Sequence, residues 1–441
     1  MRNPPPGEVH DVLRRHLLAD GLPIVFDLAR SHGPWLHDAR SGGDYLDVMS
    51  FFASLPLGFN HPGLRDPAYL EELHAAAAVK VANPDVYTAS LAGFVDAFAR
   101  LAGHDALPHF FFVEGGALAV ENALKAAFDW KVQRNLAAGR GARGGETGQV
   151  LHLREAFHGR TGYTLSLTNT DARKIAHFPK FDWPRVLNPK IVYPLDDPAS
   201  RRATLAAEEE ALAAAGAALR ARAPDVACIL VEPIQSEGGD NHFRPEFLQG
   251  LRRLADEHDA ILVFDEVQTG FGLTGTMWAF EQLGVVPDAV CFAKKVQVGG
   301  LMASRRFDEV DSVFKVASRI NSTFGGNLCD MVRARRYLEI VAEERLLENV
   351  RAVGARLLAG LGEVAARRPA IRAPRGRGLM IAFDLPTREA REAMRDELFR
   401  RGVLILRCGE RSLRLRPVLD FPAAAADRFV ALLDDAAAAL G

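Results

Sequence analysis

The chain has 441 residues and a mass of 48.1 kDa, about three times the size of a typical domain, which excludes a small binding module. Hydrophobic residues make up 48% and charged residues 25%, and 54 Lys+Arg against 56 Asp+Glu leave a net charge of −2, so neither disorder nor a polyanionic partner is indicated. Four cysteines, Cys228, Cys291, Cys329 and Cys408, stand far apart without a CxxC pair, which argues against a disulfide framework or a zinc ribbon and for a reducing cytoplasm. Charges at Glu8, Asp11, Arg14 and Arg15 interrupt any signal-like apolar run near the start, and no stretch of eighteen charge-free apolar residues follows, so a cytosolic protein without a membrane span is expected.

In chain order, the alternating stretch Trp35 to Asp47, broken by Ser41, Gly42 and Gly43, predicts a hairpin. From about residue 90 to about residue 300, apolar runs alternate with segments of helical spacing, the signature of an α/β core with a mostly parallel sheet. Strands are expected at Phe110 to Val113, Gln149 to Leu153, Val226 to Val231, Ala260 to Phe264 and Ala289 to Ala293, each apolar almost throughout, as strands covered on both faces should be. Val120, Leu124 and Phe128 recur at helical spacing, and a second helix opens after Pro245 with Phe247, Leu248, Leu251 and Leu254. The Gly/Arg-rich stretch Gly139 to Gly148 reads as a loop, and the alanine tracts Ala203 to Ala223 and Ala436 to Ala439 as helices on an exposed surface. From about Asp330 a helical run reaches Leu361, followed by strand-like pieces at Leu379 to Asp384, Val403 to Arg407 and Leu413 to Arg416. The expected organisation is a large domain over residues 76–330 and a smaller α+β domain assembled from residues 1–75 and 331–441.

Chemistry concentrates between Ala260 and Lys294. One strand delivers Asp265 to its C-terminal end and the next delivers Lys294, 29 positions on (294 − 265), and ligands of open α/β sheets collect beyond such ends. A carboxylate and a lysine so placed suit pyridoxal 5'-phosphate chemistry, the carboxylate keeping the pyridine nitrogen protonated and the amine forming a Schiff base. For the isolated pair, an ordinary ion pair at a sheet edge is the better explanation. Three further features bear on the choice. Glu114, Gly115, Gly116 and Ala117 form a strand-to-helix turn suited to a phosphate. Phe157, before His158, Gly159 and Arg160, offers a ring face, and Asn321 to Asn327 carries Thr323 in a Gly-rich loop. Each of these alone also fits a plain turn or a core aromatic.

Taken together, the run Asp265 to Gly272, then Pro287, Asp288, Ala293 and Lys294, resembles the class III pyridoxal-phosphate aminotransferases of fold type I over nearly the whole chain. The stretches Glu114 to Lys125, Phe157 to Asn169, Phe178 to Pro184, Lys294 to Val298, Asn321 to Asn327 and Arg375 to Met380 place the resemblance among members that transaminate the ε-amine of lysine. It implies Lys294 as the Schiff-base lysine rather than its neighbour Lys295, Asp265 at the pyridine nitrogen, Gln268 at the ring 3-oxygen and Phe157 on the ring face. Gly116 and Ala117 would hold the phosphate through backbone N–H groups, with Thr323 supplied by the other subunit of a homodimer. One departure is visible: Gly115, Gly116 and Ala117 lack the hydroxyls usual at the family's phosphate turn.

For substrates, the resemblance implies that Arg160 binds the distal carboxylate, that Arg414 grips the α-carboxylate of 2-oxoglutarate or glutamate, that Glu237 neutralises Arg414 in the other half-reaction, and that Asn321 contacts substrate. Arg414 and Arg416, two apart in a strand pattern, point to one face. The implied reaction moves the ε-amino group of L-lysine to 2-oxoglutarate by a ping-pong route, giving L-2-aminoadipate 6-semialdehyde and L-glutamate. The rivals are another class III ω-aminotransferase, acting on ornithine, 4-aminobutyrate or a diamine, and a pyridoxal-phosphate epimerase. The thirteen histidines show no HxxxH or HxH metal spacing, no dense basic run suits nucleic acid, and the glycines near residue 376 lack a dinucleotide-binding unit.

Overall fold

The computed structural model describes residues 3–140 and 148–440, so most of the loop expected at Gly139 to Gly148 lies outside the described residues. Seven strands form the central sheet: His109–Val113, Gln149–Leu153, Arg185–Val186, Val226–Val231, Ile261–Asp265, Ala289–Phe292 and Gly299–Ala303. The fold is α/β. Burial on both faces explains why the central runs are apolar at almost every position. In Val226–Val231, Ile229 and Val231 join the core on one face, while Cys228 and Leu230 join the core on the other. Ile261 and Val263 oppose Leu262 and Phe264 in the same way. Phe264 and Phe292 are wholly buried, each contributing roughly 1.5–3 kcal/mol relative to an exposed ring.

Across the sheet the order is His109–Val113, Gly299–Ala303, Ala289–Phe292, Ile261–Asp265, Val226–Val231, Gln149–Leu153, Arg185–Val186. Neighbours are parallel from Arg185–Val186 to Ala289–Phe292, but Gly299–Ala303 runs antiparallel to both of its neighbours. This reversed strand was not anticipated from sequence, because it opens on Gly299-Gly300 and reads as a turn. Its glycines are needed: a Cβ on Gly299 would stand 2.6 Å from the carbonyl oxygen of Gly115, and one on Gly300 would stand 2.4 Å from that of Phe111. The backbone after the lysine therefore lies directly against the strand-to-helix turn at Gly115.

Both chain ends meet beside this sheet. Trp35–His37 pairs antiparallel with Asp44–Asp47, which in turn pairs parallel with Val403–Leu404. A second, four-stranded antiparallel sheet has the order Arg372–Arg377, Met380–Asp384, Ser412–Leu415, Leu406–Cys408.

Two readings of the sequence need correction. The helical run from Asp330 is two helices, Leu328–Glu343 and Leu346–Arg367, separated at Arg345, whose φ of 53° is left-handed and ends the helical path without a glycine or proline to announce it. The alanine tracts are helical but not simply exposed. Helix Pro198–Ala221 buries Ala211, Ala215 and Leu219, and helix Ala423–Leu440 buries Ala436 and Ala437, the alanines permitting close approach.

Candidate active site

The C-terminal ends of Ile261–Asp265 and Ala289–Phe292 open into a cavity of about 1250 Å3. Its lining brings together Gly116, Ala117, Phe157, Arg160, Glu237, Asp265, Gln268, Lys294 and Arg414. Asn321 and Thr323 are exposed on this chain and do not line the cavity.

Asp265 ends its strand nearly buried. Its Oδ1 accepts from the Val267 N–H at 3.1 Å, and its Oδ2 accepts from His158 Nδ1 at 2.8 Å. His158 is itself buried, and its backbone N–H is tied to Thr168 Oγ1 at 3.0 Å, so the imidazole holds the carboxylate in one orientation. Sequence reasoning missed this role. The two residues are 107 positions apart, and nothing but the adjacency of His158 to Phe157 pointed to the site. Phe157 is anchored by its N–H, which donates to Glu232 Oε1 at 2.9 Å, and burial pushes the Glu232 carboxyl up to about 7.

Lys294 follows the next strand at φ 28°, a left-handed conformation disfavoured for a side chain of this kind. Burial lowers its amine to about 8, and the nearby Arg414 guanidinium pushes in the same direction. Lys295 points away from the cavity. Its Nζ donates to Leu55 O at 2.7 Å and Ser50 Oγ at 3.2 Å, and so supports Ser50 to Ala53, four consecutive non-glycine residues with positive φ. That turn carries Phe52 to the cavity wall.

Beside these strand ends, Gly115 with φ 91° opens the 22-residue helix Gly116–Ala137, whose first N–H groups and dipole favour an anion. A Cβ on Gly116 would meet Val267 Cγ1 at 2.9 Å, so this turn admits no larger residue without a shift.

Two arginines of the C-terminal lobe are separated by environment. Arg414, on strand Ser412–Leu415, reaches the cavity and donates to Ser236 Oγ and Glu237 Oε2, each at 2.7 Å. Arg416 is fully buried, pairs with Asp240 and reaches Ser236 Oγ at 3.2 Å. Burial works against the charge of Glu237, but Arg414 and Lys174 outweigh it and hold the carboxyl below its ordinary value. Arg160 is exposed on the cavity lining.

These features fit pyridoxal phosphate: a strand-to-helix turn crowded at Gly116 and suited to an anion, a lysine amine pushed toward neutrality, an anchored carboxylate, and a Gln268 Oε1 that is buried without a protein partner. Comparison with known proteins agrees. The class III aminotransferase family matches residues 19–437, and the chain belongs to that family; its cofactor is pyridoxal 5'-phosphate. The L-lysine-epsilon aminotransferase of Mycobacterium tuberculosis is 55% identical over 434 residues, covering 98% of this chain and 95% of that protein. The L-lysine-epsilon aminotransferase of Amycolatopsis lactamdurans is 54% identical over 416 residues, covering 93% and 91%. The structure of the M. tuberculosis lysine aminotransferase in its internal aldimine form superposes with a TM-score of 0.96 at 54% identity, covering 99% of this chain and all of that one. Among the described residues no helix is long and apolar enough to cross a membrane.

Proposed function

We propose that this aminotransferase moves the ε-amino group of L-lysine to 2-oxoglutarate, giving L-2-aminoadipate 6-semialdehyde and L-glutamate, and that it works in the cytoplasm as a homodimer. The observation that carries the reading is the 2.7 Å pair of Glu237 with Arg414 inside the cavity. An ω-amine brings no carboxylate next to its reacting carbon, so a buried arginine meant for an α-carboxylate must be neutralised while that substrate is bound. Glu237 provides the neutralising charge, and withdraws when 2-oxoglutarate presents its own carboxylate to Arg414. Arg160 takes the carboxylate at the far end of either substrate, through its forked guanidinium.

Lys294 would hold the cofactor through Nζ and, once released, move a proton at the substrate's reacting carbon. Gly116 and Ala117 would bind the phosphate by backbone N–H groups, Asp265 would bind the pyridine nitrogen, Gln268 the ring oxygen and Phe157 a ring face. When bound, pyridoxal phosphate supplies the carbonyl that captures the amine and the ring that withdraws electrons. Thr323 completes the phosphate site of the other subunit, and Asn321 contacts substrate. Exposed Val79, Val86 and Tyr87 support an assembled form, since each leaves most of its apolar side chain to water in the single chain.

The test is the visible absorbance of the holoenzyme. Loss on adding L-lysine, recovery on adding 2-oxoglutarate, and a product that cyclises to its imine are the expected results. Loss with ornithine, 4-aminobutyrate or a diamine but not lysine would replace the substrate. Failure to exchange an amino group with 2-oxoglutarate would favour an epimerase.

A further inference from the structure

Glu237 has a second cation. Its Oε2 accepts from Arg414, while its Oε1 accepts from Lys174 Nζ at 2.5 Å. The two donors come from unrelated parts of the chain. Arg414 sits on strand Ser412–Leu415, and Lys174 ends the short 3-10 turn Ala172–Lys174, which the Asp171 carboxylate caps. Lys174 is directed over the cavity: it belongs to the lining, and its Nζ lies 5.2 Å from the centre of the Phe157 ring. Among the described residues, Glu237 is the one hydrogen-bond partner of that ammonium. Arg173, beside it, is engaged elsewhere, with Asp171 at 2.8 Å.

The arrangement matters for an exchange of partners. A carboxylate bound to Arg414 alone would have to give up its only charged partner when a keto acid arrives, and would be left half-buried and unpaired. A carboxylate split between two cations keeps one charge-assisted bond throughout, and its departure becomes a rotation about the bond that remains. Lys174 also draws charge from the closed pair, which weakens the hold of Glu237 on Arg414. Both effects act in the same direction, toward an Arg414 that is available to an α-carboxylate.

We propose that Lys174 is the pivot on which Glu237 leaves Arg414, a positioning residue that sets the balance between the ω-amine and the α-keto acid. The proposal rests on the function given above, in which Glu237 masks Arg414 in one half-reaction and not in the other. Lys174 acts through Glu237 and touches neither substrate.

The experiment follows the two half-reactions separately in the holoenzyme, by stopped-flow absorbance, against L-lysine and against 2-oxoglutarate. Lys174→Met should raise the half-saturating concentration of 2-oxoglutarate relative to that of L-lysine by about tenfold, the scale of one charge-assisted hydrogen bond. Lys174→Arg should restore the ratio. In a Glu237→Gln background, Lys174→Met should leave the ratio unchanged. Equal losses in both half-reactions would overturn the proposal, because a lysine that binds the distal carboxylate directly would affect both substrates. So would an undiminished effect in the Glu237→Gln background. If the wild-type enzyme responds to a different ω-amine, the substrate falls and the same ratio is measured with that amine; if it responds to none, both readings fall.

Discussion

Arg416 and Asp240 form an ion pair of 2.5 Å with both side chains almost wholly withdrawn from water, two positions along from Arg414, whose partner Glu237 faces the cavity. The strand Ser412–Leu415 and the residue after it thus carry one arginine for the cleft and one for the framework. Breaking a buried pair from one side strands the other charge, at a cost of about 3–5 kcal/mol. Arg416→Met should therefore lower the urea midpoint strongly. Arg414→Met should lower it less, since Glu237 keeps Lys174, but should cut kcat/KM for 2-oxoglutarate by about 100-fold, as expected for a lost bidentate carboxylate contact. Equal stability losses in the two variants would contradict this division.

Asp265 depends on His158. His158→Leu removes the donor at Oδ2 and leaves the carboxylate with the Val267 N–H alone. Activity should fall about 10- to 100-fold, the range for a hydrogen bond to a charged group, and cofactor should be lost more readily on dialysis. His158→Asn should recover part of both. Cofactor retention and turnover equal to wild type in His158→Leu would show that the imidazole is dispensable.

The Lys294 amine carries a pH prediction. Its pKa of about 8 means that the neutral, nucleophilic form is half populated there, falls away at lower pH and approaches completion at higher pH. At pH 7 about a tenth of the amines are neutral, against a few in ten thousand for an ordinary lysine. Cofactor capture by the apoprotein should accelerate with pH through a midpoint near 8. Arg414→Met removes a positive neighbour and should move that midpoint upward. A midpoint near the ordinary lysine value in the wild type would refute the assignment, and Lys295→Met should leave the profile in place.

Gly115 tests the turn by backbone conformation alone. Nothing lies within 4 Å of a Cβ built there, yet φ is 91°. Gly115→Ala should thus cost about 1 kcal/mol through the dihedral and weaken cofactor binding. The Gly115 ψ of 151° lies outside the left-handed helical region that asparagine tolerates, so Gly115→Asn should do as much harm as Gly115→Ala. Thermal midpoints and cofactor titrations of the two variants provide the comparison.

Much of the strand pattern was legible because period and burial agree: runs such as Val226–Val231 are apolar on both faces and bounded by polar segments. Gly299–Ala303 was not, since its glycines answer to the backbone of Gly115 and Phe111, which no local pattern reveals. Nor was the break at Arg345, where apolar spacing continues through the interruption. Within the site, Asp265 and Lys294 stood out because they follow apolar strands. His158 and Lys174 did not, because each is defined by a partner 107 or 63 positions away. The left-handed turn at Ser50 to Ala53 lacks any glycine and reads as ordinary chain.

The packing of Gly299 on Gly115 ties the segment after Lys294 to the mouth of the anion-binding helix, backbone against backbone. The separation between the main chain at Lys294 and the helix N–H groups is consequently a property of the scaffold, and only the lysine's own flexible stem adjusts where the amine falls. The protein is in this sense a gauge of length. What it sets is the span from the turn at Gly115 to the root of the lysine, and the four-carbon stem covers the remainder.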